Sequence, residues 1–207
     1  MTAILEATVQ VLLDVGKERL TTTRVAGRAG VSVGTLYQYF PNKRALLQAV
    51  VRQHLDRITD AVEAVCREQR GKSLSEMATA LITRFLEAKM RSAKTSVALY
   101  TVSDDVDGAK IWQQTEGRAN NAITEMLKSA REGLATDPRA VASMLQGVMV
   151  GVSRRLLESG AAEKQFEAVR QELVVLACAY LEASSLRAVS VAARRSPDHG
   201  VHIGARD

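Results

Sequence analysis

Glycines and prolines interrupt an otherwise continuous helical pattern, and this spacing constrains the fold more than any other feature of the chain. Apolar residues recur every three or four positions through most of the 207 residues, as they do on the buried face of a helix. Only 4% of the residues are aromatic and three are prolines, so the chain has few of the residues that favour strands and turns. We therefore predict an all-α fold.

The interruptions divide the chain into successive helices. Gly16, Gly30 and Pro41 each stand where a helix should end, and Asp137-Pro138 marks a helix start. The predicted helices cover about residues 2–15, 23–29, 33–39, 43–69, 73 or 75 to 91, 106–132, 138–158 and 163–184, while 92–103 is ambiguous. By this division, 1–45 is one domain, 46–185 is a helical body and 186–207 is a mobile tail.

The second and third helices are joined by a tight turn, Ala29-Gly30-Val31-Ser32. Gly30 tolerates the left-handed backbone that such a turn needs, and Val31 can pack between the two helices. This is the pattern of a helix-turn-helix unit. Its third helix then presents hydroxyls and an amide outward, which suit phosphates and base edges.

Positive charge is concentrated at the two ends of the chain. The net charge is +5 overall, with eight Lys/Arg against four acids in residues 1–57 and four Arg against two Asp in 186–207. A basic N-terminal third on a near-neutral body favours contact with a polyanion at that end.

Several other classes of protein are excluded or disfavoured. No apolar run approaches a membrane span, the N-terminus carries Glu6 rather than a basic signal-peptide lead, and Cys66 and Cys178 form no metal or disulfide motif. His199 and His202 lie in the predicted tail, and no HExxH or GxSxG occurs. We expect a cytoplasmic protein that is not an enzyme, with no catalytic residues, cofactor, metal site or membrane partner.

The segment AGVSVGTLYQYFPNKRALL, together with the preceding TTRVAGR, resembles the DNA-binding signature of the TetR family of bacterial transcriptional regulators. With the first helix included, the resemblance covers about a quarter of the chain. It implies an N-terminal three-helix helix-turn-helix domain and a C-terminal helical ligand-binding and dimerisation domain.

The resemblance also implies individual DNA contacts. Thr22 matches a residue that meets a phosphate, Lys43 matches a basic residue that pairs with another, and Gly34 matches a position where a side chain would block the DNA. Tyr37 and Tyr39 lie two apart on the third helix, so plain packing cannot explain both. The predicted DNA-binding residues are Thr22, Arg24, Ser32, Gly34, Thr35, Tyr37, Gln38, Tyr39 and Lys43.

The start of the chain departs from the family pattern. Family members commonly carry Arg or Lys before the first helix, whereas this chain opens Met-Thr-Ala-Ile-Leu-Glu. Either the helix-turn-helix alone supplies the affinity for DNA, or the true start lies upstream.

Two glycines within one late helix indicate a close approach of another helix. Gly147 and Gly151 each cost about 1 kcal/mol relative to Ala unless such an approach offsets it. Because the resemblance implies that the last two long helices form a dimer interface, we assign Gly147, Gly151, Leu173, Ala177 and Leu181 to it. Close packing inside one subunit is an equally open explanation of the glycines.

Large apolar residues in the central helices are candidates for a ligand pocket, although such residues more often form core. The clearest mixture of apolar and polar groups surrounds Trp112 and Glu116. We assign Phe85, Trp112, Glu116 and Met149 to the pocket.

The function that these features predict is a dimeric repressor that binds a palindromic double-stranded DNA operator and is released by a small-molecule inducer. The alternative is a helical ligand-binding or scaffold dimer whose DNA-binding domain is degenerate.

Overall fold

The computed structural model describes residues 1–103 and 106–186. Within these ranges the chain forms nine helices and a single isolated β-bridge, between Leu134 and Ser185. In that part of the chain no helix combines the length and the hydropathy that crossing a membrane requires. The helices are α1 Thr2–Arg19, α2 Thr22–Ala29, α3 Val33–Tyr39, α4 Lys43–Glu68, α5 Leu74–Met90, α6 Ala93–Ser103, α7 Gly108–Lys128, α8 Pro138–Glu158 and α9 Ala162–Ala183.

Local side-chain caps set most of the helix starts. The side chain of Thr21 accepts a hydrogen bond from the Arg24 backbone at the start of α2, and Asn42 does the same for α4. Ser73 begins α5 in a reciprocal capping box with Glu76. These starts agree with the predicted ones because a cap is a short-range interaction.

Two helix boundaries differ from the prediction. α1 continues to Arg19, but Gly16 has φ of 75° and ψ of 171°, so the regular helix is kinked at that glycine. α7 ends at Lys128 rather than at 132, because the following backbone bonds elsewhere. The amide of Arg131 donates to the Lys72 carbonyl, and that of Ala135 donates to Ser184. The segment 92–103, which was ambiguous from the sequence, forms helix α6.

The long helix α4 belongs to two hydrophobic cores. Its first half, through Leu55, packs with α1–α3 and with Leu99 and Ile111 of α6 and α7. Its second half, from Ile58, packs with α5, α8 and α9. The two cores therefore meet in the middle of α4, whereas the predicted domain boundary lies after residue 45. The predicted tail at 186–207, including His199 and His202, lies outside the described residues except for Leu186.

The last helix packs into the core of its own subunit. Leu173, Ala177 and Leu181 are 3%, 1% and 1% exposed and contact the cluster that includes α5 and α8. Their assignment to the dimer interface is therefore corrected, since side chains already buried in one subunit have no surface left for a partner. The outward face of α9 instead carries Val175 and Leu176, which are 63% and 49% exposed.

Candidate DNA interface and ligand cavity

The turn between α2 and α3 has the geometry that its sequence predicts. Gly30 lies in the left-handed region, with φ of 69° and ψ of 30°, and the Val31 amide donates to the Ala26 carbonyl over 3.0 Å. Val25 and Leu36 are fully buried between the helices. This seam fixes α3 against α2 and leaves the opposite side of α3 open.

The open side of α3 carries most of the predicted DNA contacts. Tyr37 and Tyr39 are 46% and 53% exposed, and Gly34 and Gln38 are exposed beside them. A Cβ placed on Gly34 would have only the Ser32 hydroxyl within 4 Å, so the space outside Gly34 is open in the free protein.

The hydroxyls of the predicted DNA-binding residues form hydrogen bonds within the helix-turn-helix unit. The Thr22 hydroxyl on α2 and the Tyr37 hydroxyl on α3 are 3.1 Å apart. The Ser32 hydroxyl caps α3, accepting from the Thr35 amide over 2.9 Å. The sequence did not predict the hydrogen bond between Thr22 and Tyr37, which orients the Tyr37 ring in the free protein.

The two basic residues of the predicted set make contacts within the domain. Lys43 is half-buried and its ammonium donates to the Lys17 carbonyl over 3.1 Å. Arg24 is exposed and donates to the Arg19 carbonyl over 3.1 Å. Because an ammonium and a guanidinium carry several N–H groups, each residue keeps donors beyond this one bond.

The four predicted pocket residues line one cavity. Its volume is about 40 Å³. The cavity lies where the two cores meet, since Leu55 and Trp112 belong to the N-terminal core while Phe85 and Met149 belong to the other. Its remaining lining residues are Ile58, Thr59, Val62, Lys89, Thr115, Glu116, Ala119, Ile123, Gln146 and Val150.

Lys89 is a residue of this cavity that sequence reasoning missed. It lies in the last turn of α5, where a lysine would ordinarily extend into solvent, yet it is only 2% exposed. Its ammonium lies 5.9, 5.6 and 5.4 Å from the ring centres of Phe85, Tyr100 and Trp112. Burial lowers the pKa of Lys89 to about 8, and the nearby Arg154 acts in the same direction.

Gly147 and Gly151 lie on an exposed face of α8. A Cβ on either glycine would meet no atom within 4 Å, so close packing inside the subunit does not explain them. Met144, one helical turn before Gly147, is 58% exposed. Val175 and Leu176 of α9 are exposed as well, and these outward residues of the two helices are here together called the α8–α9 face.

A helix-turn-helix unit with an exposed third helix, joined by one long helix to an all-helical body with a cavity, defines a DNA-binding regulatory protein. Residues 4–50 match the family model of bacterial regulatory proteins of the tetR family, and residues 73–181 match that of the tetracyclin repressor-like C-terminal domain. The chain belongs to the TetR family of transcription regulators.

Known proteins resemble it over most of its length. A TetR-family regulator from Mesorhizobium loti superposes with a TM-score of 0.72 at 19% identity, covering 89% of this chain and 96% of that one. A TetR-family regulator from Shewanella sp. PV-4 gives 0.65 at 25% identity, covering 90% and 98%. The nucleoid occlusion factor SlmA of Citrobacter koseri is 25% identical over 70% of this chain and 75% of its own length.

Proposed function

We propose that the chain acts as a dimeric repressor that binds a palindromic operator and is released by a small molecule in the cavity. One observation carries this proposal: a cavity lined by the middle of α4 lies between the core that holds the recognition helix and the core of the body. A ligand there touches the element that both cores share.

The α4 helix supplies the link between the two sites. It starts at Lys43, beside the predicted DNA contacts, and its residues Leu55, Ile58 and Val62 line the cavity. A ligand that separates α4 from α7 would change the angle of α4 and hence the position of α3. Release of DNA further requires that the ligand bind the DNA-free arrangement more tightly.

The α8–α9 face supports dimerisation. Large apolar side chains there are solvent-exposed in the single subunit, and Gly147 and Gly151 leave room for a partner helix to approach. Two recognition helices held by a two-fold axis would enter successive major grooves, about 34–36 Å apart, on a palindromic site.

Duplex binding at graded salt separates this proposal from a scaffold with a degenerate DNA-binding domain. Fluorescence anisotropy with a non-specific duplex should show affinity that falls steeply with salt, since phosphate contacts release counterions. Gln38→Ala changes a predicted base contact and should leave that non-specific slope unchanged while altering the sites enriched by selection from random DNA. If the affinity did not depend on salt, the chain would instead be a scaffold whose DNA-binding domain is degenerate.

Trp112 provides an internal reporter for the inducer, because it is the only tryptophan of the chain and lines the cavity. A compound that lowers operator affinity should change Trp112 emission over the same concentration range, with coupling of about 1–3 kcal/mol. Inducers that leave this emission unchanged, and that act equally on Trp112→Phe, would place the effector site elsewhere.

A further inference from the structure

The cavity contains a buried cation for which the described part of the chain offers no counter-charge. The Lys89 ammonium donates to the Tyr100 hydroxyl over 3.2 Å, and this is its one hydrogen bond among the residues that the structure describes. The ion pairs found in the same residues do not include Lys89. Two of its three N–H groups therefore remain available to a ligand.

Three aromatic faces hold the ammonium in place of an anion. Phe85, Tyr100 and Trp112 all lie within 6 Å of it, inside the range of cation–π attraction. Such contacts offset only part of the cost of burying a charge, which is large when no ion pair forms. Much of the ammonium remains protonated at neutral pH even though burial has lowered its pKa to about 8.

The surroundings of Lys89 disfavour a cationic ligand. The Arg154 guanidinium, which pairs with Glu158 over 2.8 Å, lies 5.0 Å from the centre of the same Tyr100 ring and lowers the pKa of Lys89 further. A neutral apolar ligand would leave two of the three N–H groups of the ammonium without an acceptor. Glu116, the carboxylate in the lining, is exposed, so water screens its charge.

The rest of the lining sets the shape of the ligand. Ile58, Val62, Ile123 and Met149 present apolar side chains to the cavity. The cavity is small in the free subunit, about 40 Å³, so a ligand would have to move the surrounding helices apart to enter it. A single lysine matches a single negative charge. A phosphate would instead favour several donors or an arginine fork.

We propose that the cavity binds a hydrophobic carboxylic acid whose carboxylate pairs with Lys89 and whose apolar body lies along α4, α7 and α8. This inference rests on the proposed function, in that it names the chemical class of the effector that the cavity would take.

The test compares acids with neutral and cationic molecules of the same shape. Octanoate, decanoate, phenylbutyrate and cinnamate are titrated into the full-length protein, each beside its methyl ester and its amine analogue, with Trp112 emission as the readout. Each binding acid should bind more tightly than its ester, by roughly 10- to 100-fold, as for a hydrogen bond to a charged group.

The variant Lys89→Met tests which residue causes the preference. It removes the charge while keeping an apolar chain of similar length, and it should bring acid and ester to within about twofold of each other. Lys89→Gln, measured in parallel, removes the charge and keeps a polar end. Lys164→Met removes an exposed lysine at the start of α9 and should keep the full preference for the acid.

Three outcomes would overturn the inference: no saturable change with any acid up to its solubility, equal affinities for acid and ester, or an unchanged preference in Lys89→Met. Duplex binding by anisotropy is measured on the same samples. If the protein binds duplex with the usual salt dependence yet shows any of these outcomes, the inference of an acid effector is rejected. The proposed role in DNA binding then still stands.

Discussion

The guanidinium of Arg118 on α7 donates to the carboxylate of Asp56 on α4 over 2.9 Å. The same guanidinium reaches Asp60 at 2.8 Å and Glu63 at 3.1 Å. One cation thus holds three carboxylates along a single side of α4, at the same level of the helix as its cavity-lining residues. This contact therefore restrains α4 against α7 where a ligand would separate them.

Removing the charge of Arg118 should loosen that contact. In Arg118→Gln the three acids repel one another along α4, and we expect a loss of about 1 kcal/mol in the free energy of unfolding, which is less at high salt because the groups are partly exposed. Urea denaturation at low and high salt measures this. Arg84→Gln, which removes a single pair with Glu68 at 3.8 Å, is the matched control and should change stability by less. Equal effects of the two variants would contradict a restraining role for Arg118.

His54 should make the protein sensitive to mild acid. Burial lowers the pKa of His54 to about 4, with Lys89 and Arg57 acting in the same direction, and its ring nitrogen bonds to the Ser96 hydroxyl over 2.9 Å. The unfolded chain binds a proton at His54 below about pH 6.5 while the folded chain does not, so the stability that the neutral ring provides is lost as the pH falls.

The expected loss from His54 is about 2 kcal/mol in the free energy of unfolding between pH 7 and pH 5. Urea denaturation at the two pH values measures it. His54→Gln retains a hydrogen-bonding side chain beside Ser96 and does not titrate, so its stability should fall much less over this range. A variant with the same loss as the wild type would assign the acid sensitivity to other groups.

Lys43 should contact a DNA phosphate at the start of α4, where the helix dipole favours negative charge. In Lys43→Ala, affinity for all sequences should fall about equally, and the slope of log affinity against log salt should decrease by roughly one. Anisotropy titrations at several salt concentrations measure the slope. Because Lys43 also bonds to Lys17, the variant's thermal stability is recorded alongside. Lys164→Ala serves as the control, and an unchanged slope in Lys43→Ala would exclude Lys43 from the interface.

Gly151 should lie in the dimer interface. In Gly151→Leu the new Cβ meets no atom within 4 Å and the position is exposed in the single subunit, so the fold should persist, while overpacking against a partner commonly costs roughly 1–3 kcal/mol. Sedimentation at one dilute concentration should then show a larger monomer fraction than the wild type. Gly117→Leu, at an equally open and exposed glycine of α7, should leave that fraction unchanged. A Gly151→Leu dimer as tight as the wild type would place the interface elsewhere.

The helix-turn-helix unit was predictable from the sequence in detail because short-range interactions specify it. The Thr21 cap, the left-handed Gly30 and the Ser32 cap each act over a few residues, and the spacing of Val25 and Leu36 already marks the buried seam. The four residues predicted to form a pocket all line one cavity, and their binding of a ligand stays a prediction.

Only the tertiary structure decided which face of α9 is buried and where the Lys89 ammonium lies. The apolar residues of α9 occur on more than one side, so periodicity alone did not show that Leu173, Ala177 and Leu181 face the core while Val175 and Leu176 face outward. The surroundings of Lys89 come from rings on α5, α6 and α7, which meet only after these helices have packed. The physical reason is range: caps and turns depend on adjacent residues, whereas burial and electrostatic environment depend on which distant helices share a core.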